Sequence, residues 1–362
     1  MRQTKPLYMA AALSAAMLAT FAVSAPTIAA QDGGAPDEFA GMRTLKREVL
    51  VRAVLDRNPT IEAARAAWRA AEARPAQAGA FEDPMLSYAL APGSIGSSDV
   101  RYGQVIDFSQ RLPFPGKRGL RAAVEAAEAR AEHGGYRAVQ LDTALIASLL
   151  YDDYWTVERA LEVNAEHVAL LAELMESAKS HYATGHASQY ALVRVEVEQA
   201  HVEHGRVVLR TERDVIVARL NALLHRKASE KLPPPARALI AAELVEIGRD
   251  EVLETALAAR PEVVAAEARV EGAESAVSLA RREYFPDFAV GVSYNTMWNE
   301  PEHRTMAGLS INVPLQLGRR RAALDEAEAD LLRRRSERAA LTDRVASEIE
   351  TARRRLSEAE HV

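Results

Sequence analysis

The 362-residue chain contains no cysteine. That excludes disulfides, thiolate metal sites, cysteine nucleophiles and a lipid-modified N-terminal cysteine. Aromatic residues make up only 6%. Ala, Glu, Arg and Leu recur throughout, and this bias favours long helices over an all-strand protein. Neither sign of charge dominates: 45 Lys+Arg against 51 Asp+Glu leave a net −6, so composition makes no electrostatic case for a nucleic-acid partner. No Gly-rich phosphate loop and no catalytic triad is visible, so the chain reads as neither an enzyme nor the holder of a cofactor. Beyond the first 30 residues no run approaches 18 apolar residues, so no transmembrane helix is expected.

What is present begins with an address. Arg2 and Lys5 precede an uncharged apolar run from Leu7 to Val23, and Thr27-Ile28-Ala29-Ala30 supplies small residues before Gln31. This is the pattern of a secretory signal over residues 1–30, cleaved after Ala29 or Ala30. The apolar run is shorter than the roughly 20 residues of a membrane anchor. An exported chain without a spanning helix is either soluble or inserted as a β-barrel.

The rest is written twice. Pro59, Pro84 and Gly116 each have a counterpart 202 residues on, at Pro261, Pro286 and Gly318. Arg57-Asn58-Pro59-Thr60-Ile61-Glu62-Ala63-Ala64 reappears as Ala259-Arg260-Pro261-Glu262-Val263-Val264-Ala265-Ala266. One offset shared by three landmarks marks duplication of a large unit. The copies are residues 31–230 and 251–362, joined by 231–250, where Lys231-Leu232-Pro233-Pro234-Pro235 reads as a surface connection within one elongated molecule.

Each copy reads helix, strand, strand, helix. In the first, an Ala-rich helix runs from Pro59 to about Phe81, with Asn58 as N-cap and Pro59 in the first position. Strands follow at Met85–Ala91 and Val100–Leu112, then a helix from Lys117 to about His181. In the second, the helix is Pro261–Tyr284, the strands are Asp287–Trp298 and His303–Pro314, and a long helix restarts near Arg319. The expected fold is therefore mainly α with a small β part.

The strands alternate. Phe288, Val290, Val292 and Tyr294, continuing to Thr296 and Trp298, fall on one face. Ala307, Leu309, Ile311 and Val313 share a face, against Gly308, Ser310 and Asn312. Ile106 and Phe108 oppose Asp107 and Ser109, with Gln104 and Val105 breaking the rule, and Met85–Ala91 alternates poorly. A half-buried sheet in a soluble protein alternates the same way. The small polar faces, and Tyr88, Tyr102, Tyr294 and Trp298 as an aromatic girdle, favour a bilayer crossing of about 9–11 tilted residues. Phe288, Val290, Val292, Tyr294, Leu309, Ile311 and Val313 are then the lipid-facing positions. Four strands cannot close a barrel, and an open edge in lipid leaves its backbone unpaired, so several chains must pool strands; three give twelve.

The stretch from Lys117 to His181 reaches about 100 Å if helical. His133-Gly134-Gly135 is expected to bend or interrupt it. Leu141, Leu145 and Leu149, then Val168, Leu171 and Leu174, recur as a coiled-coil seam. Tyr182-Ala183-Thr184-Gly185-His186 ends the helix, with Gly185 as left-handed cap residue. Ala187 to about Leu224 returns antiparallel, making a long hairpin.

The duplicated plan, the exit Gln110-Arg111-Leu112-Pro113-Phe114-Pro115-Gly116-Lys117 and the tip Tyr182-Ala183-Thr184-Gly185-His186-Ala187-Ser188 resemble the outer-membrane efflux protein family, the TolC-like exit ducts. The Pro-Phe-Pro-Gly-Lys turn looks most like the branch serving heavy-metal and cation efflux, although Arg111 stands where the family often has a proline. The resemblance implies a homotrimer whose twelve strands form one outer-membrane barrel and whose hairpins form a tunnel across the periplasm. It also implies a periplasmic adaptor and an inner-membrane efflux pump as partners, docking at Tyr182, Thr184, Gly185, Ala187 and Ser188. The cargo would be heavy-metal cations or drugs, and the partners include outer-membrane lipid but no nucleic acid. The competing class is a periplasmic coiled-coil adaptor, which would carry one hairpin between compact β modules without a 202-residue duplication.

Counted by the same offset, Gly185 maps to position 387, past Val362, so the second tip and its returning helix are not in the sequence. The expectation is a fragment or a truncated duct, with the helix after Arg319 exposed and frayed towards its end. His201 and His204 lie at i, i+3, a legal metal spacing without a third ligand, and no metal site is read there. Asp152 and Asp153 lack an accompanying nucleophile. Arg319-Arg320-Arg321 and Arg333-Arg334-Arg335 read as a solvated mixed-charge surface.

Overall fold

The computed structural model describes residues 39, 41–98, 101–238 and 248–360. The expected leader and part of the inter-repeat connection lie outside them. Asn58 separates α1 (Arg47–Arg57) from α2 (Pro59–Ala78). Its extended backbone breaks the helix, and its side chain accepts from the Thr60 N–H at 2.9 Å, with Pro59 in the first turn. The second copy repeats this with α5 (Arg249–Ala259) and α6 (Pro261–Arg282), where Arg260 has the same extended backbone without the capping side chain. The boundaries of α1 and α5 differ by the repeat offset at both ends, although neither short helix was legible as an element.

Four strands form one antiparallel sheet in chain order: β1 (Met85–Leu90), β2 (Gln104–Leu112), β3 (Asp287–Asn295) and β4 (Thr305–Asn312). β3 stops at Asn295 instead of Trp298. The Thr296 hydroxyl takes over the ladder there, donating to the Tyr102 carbonyl at 2.7 Å and accepting from the Gln104 N–H at 2.9 Å. Asn295 accepts from the Met297 N–H and turns the chain. Pro301–His303 is a 3₁₀ turn, which delays β4 to Thr305.

The helices α3 (Lys117–Ala183), α4 (Gln189–Leu223) and α7 (Leu317–Glu360) are long. At 67 residues, α3 extends about 100 Å. It runs unbroken through Gly134-Gly135, contrary to expectation. Gly134 is there for contact: a Cβ would meet the Pro261 carbonyl at 2.7 Å and the Ala265 Cβ at 2.8 Å. The close crossing of α3 on α6, continued by Ala131 against Ala265 and Ala268, offsets the propensity cost of glycine. The expected seam is only partly covered within the chain, with Val168 and Leu171 half-buried. Leu141, Leu145, Leu149 and Leu174 are exposed, and α3 buries Ala127, Ala131, Thr143, Ala147, Tyr151 and Val157 instead.

The core repeats with the chain. Val263, Val345 and Ile349 pack with Leu253, Leu257 and Leu341 where α5, α6 and α7 meet. Their first-copy counterparts include Ile61 and Ala147, both buried. So α7 is anchored as far as Ile349, and residues 351–359 are exposed but helical. The triproline is more than a surface connection. Leu45 and Pro235 form a parallel bridge, Leu45 N–H donates to the Pro234 carbonyl at 2.8 Å, and the Tyr151 hydroxyl donates to the Leu45 carbonyl at 2.9 Å. Leu232 and Pro235 are buried.

Exposed ion pairs line the seam between α7 and α6. Arg260–Glu348, Glu267–Arg338, Glu274–Arg335 and Arg281–Glu328 lie at 2.6, 3.3, 2.7 and 3.1 Å. Arg260, just before α6, and Glu267, Glu274 and Arg281 on it recur every seven residues, about two turns of helix, so they lie along one stripe. Arg335, read from sequence as merely solvated, belongs to this ladder.

Candidate functional site: sheet faces and hairpin tip

Residues directly opposed in antiparallel strands share a face, so the register sorts the sheet. Tyr88, Ile106 and Tyr294 stand in one row, and Leu86, Phe108, Val292 and Ala307 in another. Gln110, Val290 and Leu309 form the next row, and Leu112, Phe288 and Ile311 the last. The opposite face carries Ser87, Asp107, Ser109, Arg111, Ala289, Gly291, Ser293, Gly308, Ser310 and Asn312, with Met85, Val105 and Met306 as its large apolar members. The sheet thus has one mainly apolar face and one face mostly of small and polar groups.

All of the expected apolar positions within β3 and β4 fall in this band, and Val313 lies just beyond β4. Phe288 is half-buried. Val290, Val292, Tyr294, Ile311 and Val313 are exposed, and Leu309 is 67% exposed. Large aliphatic side chains this bare on a regular sheet are an apolar surface in need of cover. β1, which alternates poorly by composition, joins the band through Leu86, Tyr88 and Leu90. Met85 and Ala89 on its other face had masked the period. Gln104 and Val105 break the pattern at the β2 end where Thr296 replaces the ladder, as do Gln110 in the apolar band and Met306 on the other face.

Below the sheet, Lys117 opens α3 with its side chain 1% exposed. Its ammonium donates to Asp287 Oδ1 at 2.9 Å, Glu283 Oε2 at 3.1 Å and the Phe285 carbonyl at 3.0 Å. Asp287 also accepts from the Phe114 N–H at 2.8 Å, and the Phe114 and Phe285 rings stack with centroids 4.7 Å apart. The Pro-Phe-Pro-Gly-Lys turn therefore bolts β2 and α3 of the first copy to α6 and β3 of the second. Gly116, at φ +92, supplies the left-handed residue that this turn needs.

At the far end, Gly185 at φ +75 makes a paired cap. The His186 N–H donates to the His181 carbonyl at 2.8 Å and the Gly185 N–H to the Tyr182 carbonyl at 3.0 Å. The Thr184 hydroxyl donates back to the Ser180 carbonyl at 3.0 Å. Tyr182, Thr184, Gly185 and Ser188 are exposed and Ala187 is half-buried, so the structure gathers the five expected tip residues on one turn. Tyr190, bare on the first turn of α4, adds a second ring that the sequence reading passed over.

Elsewhere, burial pushes the Tyr154 hydroxyl up to about 12 and raises the Glu158 carboxyl, against the opposing pull of Arg213. Both line a cleft beside Lys231, Leu232 and Pro234. Asp152 pairs with Arg47. His201 and His204 are exposed, and among the described residues no group of three His, Asp or Glu is placed to hold a metal. Among those residues no helix is long and apolar enough to cross a membrane.

A duplicated helix-strand-strand-helix unit, with a long hairpin and a two-faced four-stranded sheet, is the fold of outer-membrane channels. The structure is similar to CusC, described for its folding and transmembrane channel formation (TM-score 0.72, 18% identity, 87% of this chain and 76% of that one). It is also similar to the outer-membrane channel OprN (0.69, 16%, 86% and 75%) and to the Neisseria gonorrhoeae MtrE outer membrane channel in its open state (0.64, 18%, 86% and 74%). In sequence, residues 252–360 match the family described as Outer membrane efflux protein, and the resemblance read from the residues is borne out. No curated protein matches the chain.

Proposed function

We propose that this protein is the outer-membrane exit duct of a tripartite efflux system. The observation that carries the reading is the sheet. Its apolar face spans all four strands and is largely bare, and its opposite face is mostly polar and small, with Met85 and Met306 as exceptions. A bilayer would cover the first and a water-filled lumen would meet the second. Both outer strands of the sheet have unpaired edges, which lipid does not tolerate. Three copies closing twelve strands remove every edge, and the exposed leucine stripe of α3 is then available to neighbouring hairpins.

In this reading the signal over residues 1–30 exports the chain, the barrel sits in the outer membrane, and α3 and α4 reach into the periplasm. The tip at Tyr182, Thr184, Gly185, Ala187 and Ser188 meets a periplasmic adaptor and an inner-membrane pump. A wide passive duct selects weakly, so the pump sets the cargo, with metal cations first and drugs second. The test is expression in cells lacking their own exit duct. Recovery of metal or drug resistance, with heat-modifiable trimers in the outer-membrane fraction, is expected. A monomer that fractionates with soluble periplasmic proteins would refute the reading.

A further inference from the structure

Where the apolar band ends, the chain gathers positive charge. The last row of the band is Leu112, Phe288 and Ile311. The segments that run on from it meet at the Lys117 junction. Arg282 donates to the Pro115 carbonyl at 2.5 Å, and Arg320 donates through Nε to the Glu283 carbonyl at 2.8 Å. Arg118 donates through Nε to the Gly79 carbonyl at 2.8 Å, and its guanidinium lies 3.3 Å above the Phe81 ring. Arg118 and Arg320 are 202 residues apart, each two residues after a turn glycine. Both copies therefore hang an arginine on the carbonyl at the end of the short helix that precedes their strands.

The acids of this zone are few and already engaged. Glu82 pairs with Arg111, Asp287 with Lys117, and Glu283 with both Lys117 and Arg121. Arg118, Arg282, Arg319, Arg320 and Arg321 form no ion pair among the described residues, and Asp83 is the one acid left beside them. The seam between α6 and α7 is the opposite case, with each of its arginines matched to a glutamate. So Arg319-Arg320-Arg321, which reads from sequence as a mixed-charge surface, is not mixed here, and a chain of net −6 carries a local excess of cations. Phe81, Phe285, Val313 and Leu317 stand exposed in the same belt. Bare apolar side chains among unneutralised guanidiniums suit the headgroup zone of a bilayer. There the apolar groups reach acyl chains and the planar forks reach phosphate oxygens.

We propose that this belt, centred on Arg118, Arg282, Arg320 and Arg321, binds the phosphate headgroups of anionic phospholipid in the leaflet that faces the periplasm. The inference rests on the duct reading, which lays the apolar band in the bilayer, and it adds the lipid chemistry that the lower rim of that band selects.

The test inserts the full chain into vesicles of phosphatidylcholine, alone or mixed with phosphatidylglycerol, extracts it gently and reads the retained lipid by native mass spectrometry. Each arginine near an anionic surface strengthens binding about fivefold. Retained phosphatidylglycerol should exceed its share of the vesicle about tenfold, and the excess should shrink as salt is raised. Arg282→Gln/Arg321→Gln should abolish most of that excess. Arg321→Gln alone should lower it about fivefold, and Arg321 makes no hydrogen bond among the described residues, so its loss leaves the fold intact. Arg353→Gln/Arg355→Gln, far along α7, removes the same charge and should leave the excess unchanged. Insertion without a preference for phosphatidylglycerol, or equal loss in the distant variant, would overturn the belt and leave the duct standing. Displacement of the lipid by inorganic phosphate would mark a free-anion site and overturn the lipid assignment. Failure to insert into either vesicle would overturn the duct reading and the belt with it.

Discussion

Replacing Lys117 with Met isolates the junction bolt. Methionine keeps most of the buried volume and removes the ammonium, so the loss is electrostatic. Hydrogen bonds to charged groups contribute about 1.5–3 kcal/mol each, and Lys117 makes three. The sum overstates the effect, because the acceptor side chains of Glu283 and Asp287 are 39% and 21% exposed and regain water. Asp287 also keeps its bond from the Phe114 N–H. Stripping one partner from a buried pair costs about 3–5 kcal/mol, and partial exposure puts this case at the low end, about 3 kcal/mol. The assay is urea unfolding in detergent followed by tryptophan fluorescence. Arg281→Met serves as the control. Its pair with Glu328 is 3.1 Å long but largely exposed, so it should cost less than about 1 kcal/mol. If Lys117→Met lost no more than Arg281→Met, the junction would not depend on the buried ammonium.

Ile311→Arg places a charge in the apolar band and should cost about 2–4 kcal/mol near the bilayer midplane, while Asn312→Arg, opposite Asp287 on the polar face, should be tolerated. Equal loss of inserted protein from both would reverse the face assignment. A Cβ at Gly185 would meet no atom within 4 Å, so the damage of Gly185→Val is conformational, a branched residue forced to φ +75. Resistance in efflux-dependent cells should fall while membrane levels hold, and unchanged resistance would remove the tip from docking. Gly134→Val collides with backbone and with Ala265 and should destabilise by about 1–3 kcal/mol or more, whereas Gly135→Ala, with open space, should not; a thermal melt decides. Burial raises the Glu158 carboxyl, so the folded state holds that proton more tightly than the unfolded one. Its contribution is complete at low pH and is lost as pH rises above the ordinary glutamate range. Glu158→Gln should flatten that decline in a pH series of unfolding midpoints, and an unchanged slope would assign it to other groups.

Much of this architecture was legible because a repeat is a strong signal. Three landmarks at one spacing located both copies, and Asn58-Pro59 and Gly185 act through local rules that hold whatever surrounds them. Period-two alternation located β3 and β4 and their apolar faces. What stayed hidden depends on packing between distant segments. Gly134 costs a helix propensity in isolation, and only the approach of Pro261 and Ala265 shows why it stands there. Leu141, Leu145 and Leu149 have seam spacing, but periodicity cannot say whether the mate is in the same chain. Tyr151 and Tyr154 gave no hint that they would tie down the triproline. β1 was obscured because Met85 and Ala89 are as apolar as the band they oppose.

The order of strands in the sheet also sets an order of events in folding. Ser87 meets Asp107 and Tyr88 meets Gln104 across 20 and 16 residues, so β1–β2, like β3–β4, closes as a short local loop. The central seam is different: Gln104 waits for Thr296, 192 residues away, with the whole α3–α4 hairpin intervening. Loop closure grows costlier with length, and non-local pairing is slow. Two separate β-hairpins should therefore exist before the sheet does. The Lys117 junction, where Phe114 meets Asp287 from 173 residues away, is nearly as non-local as that seam and fastens the two hairpins to each other once they meet. Until it forms, each hairpin carries two open edges and a bare apolar face, which makes this interval the stage at which the chain most needs escort.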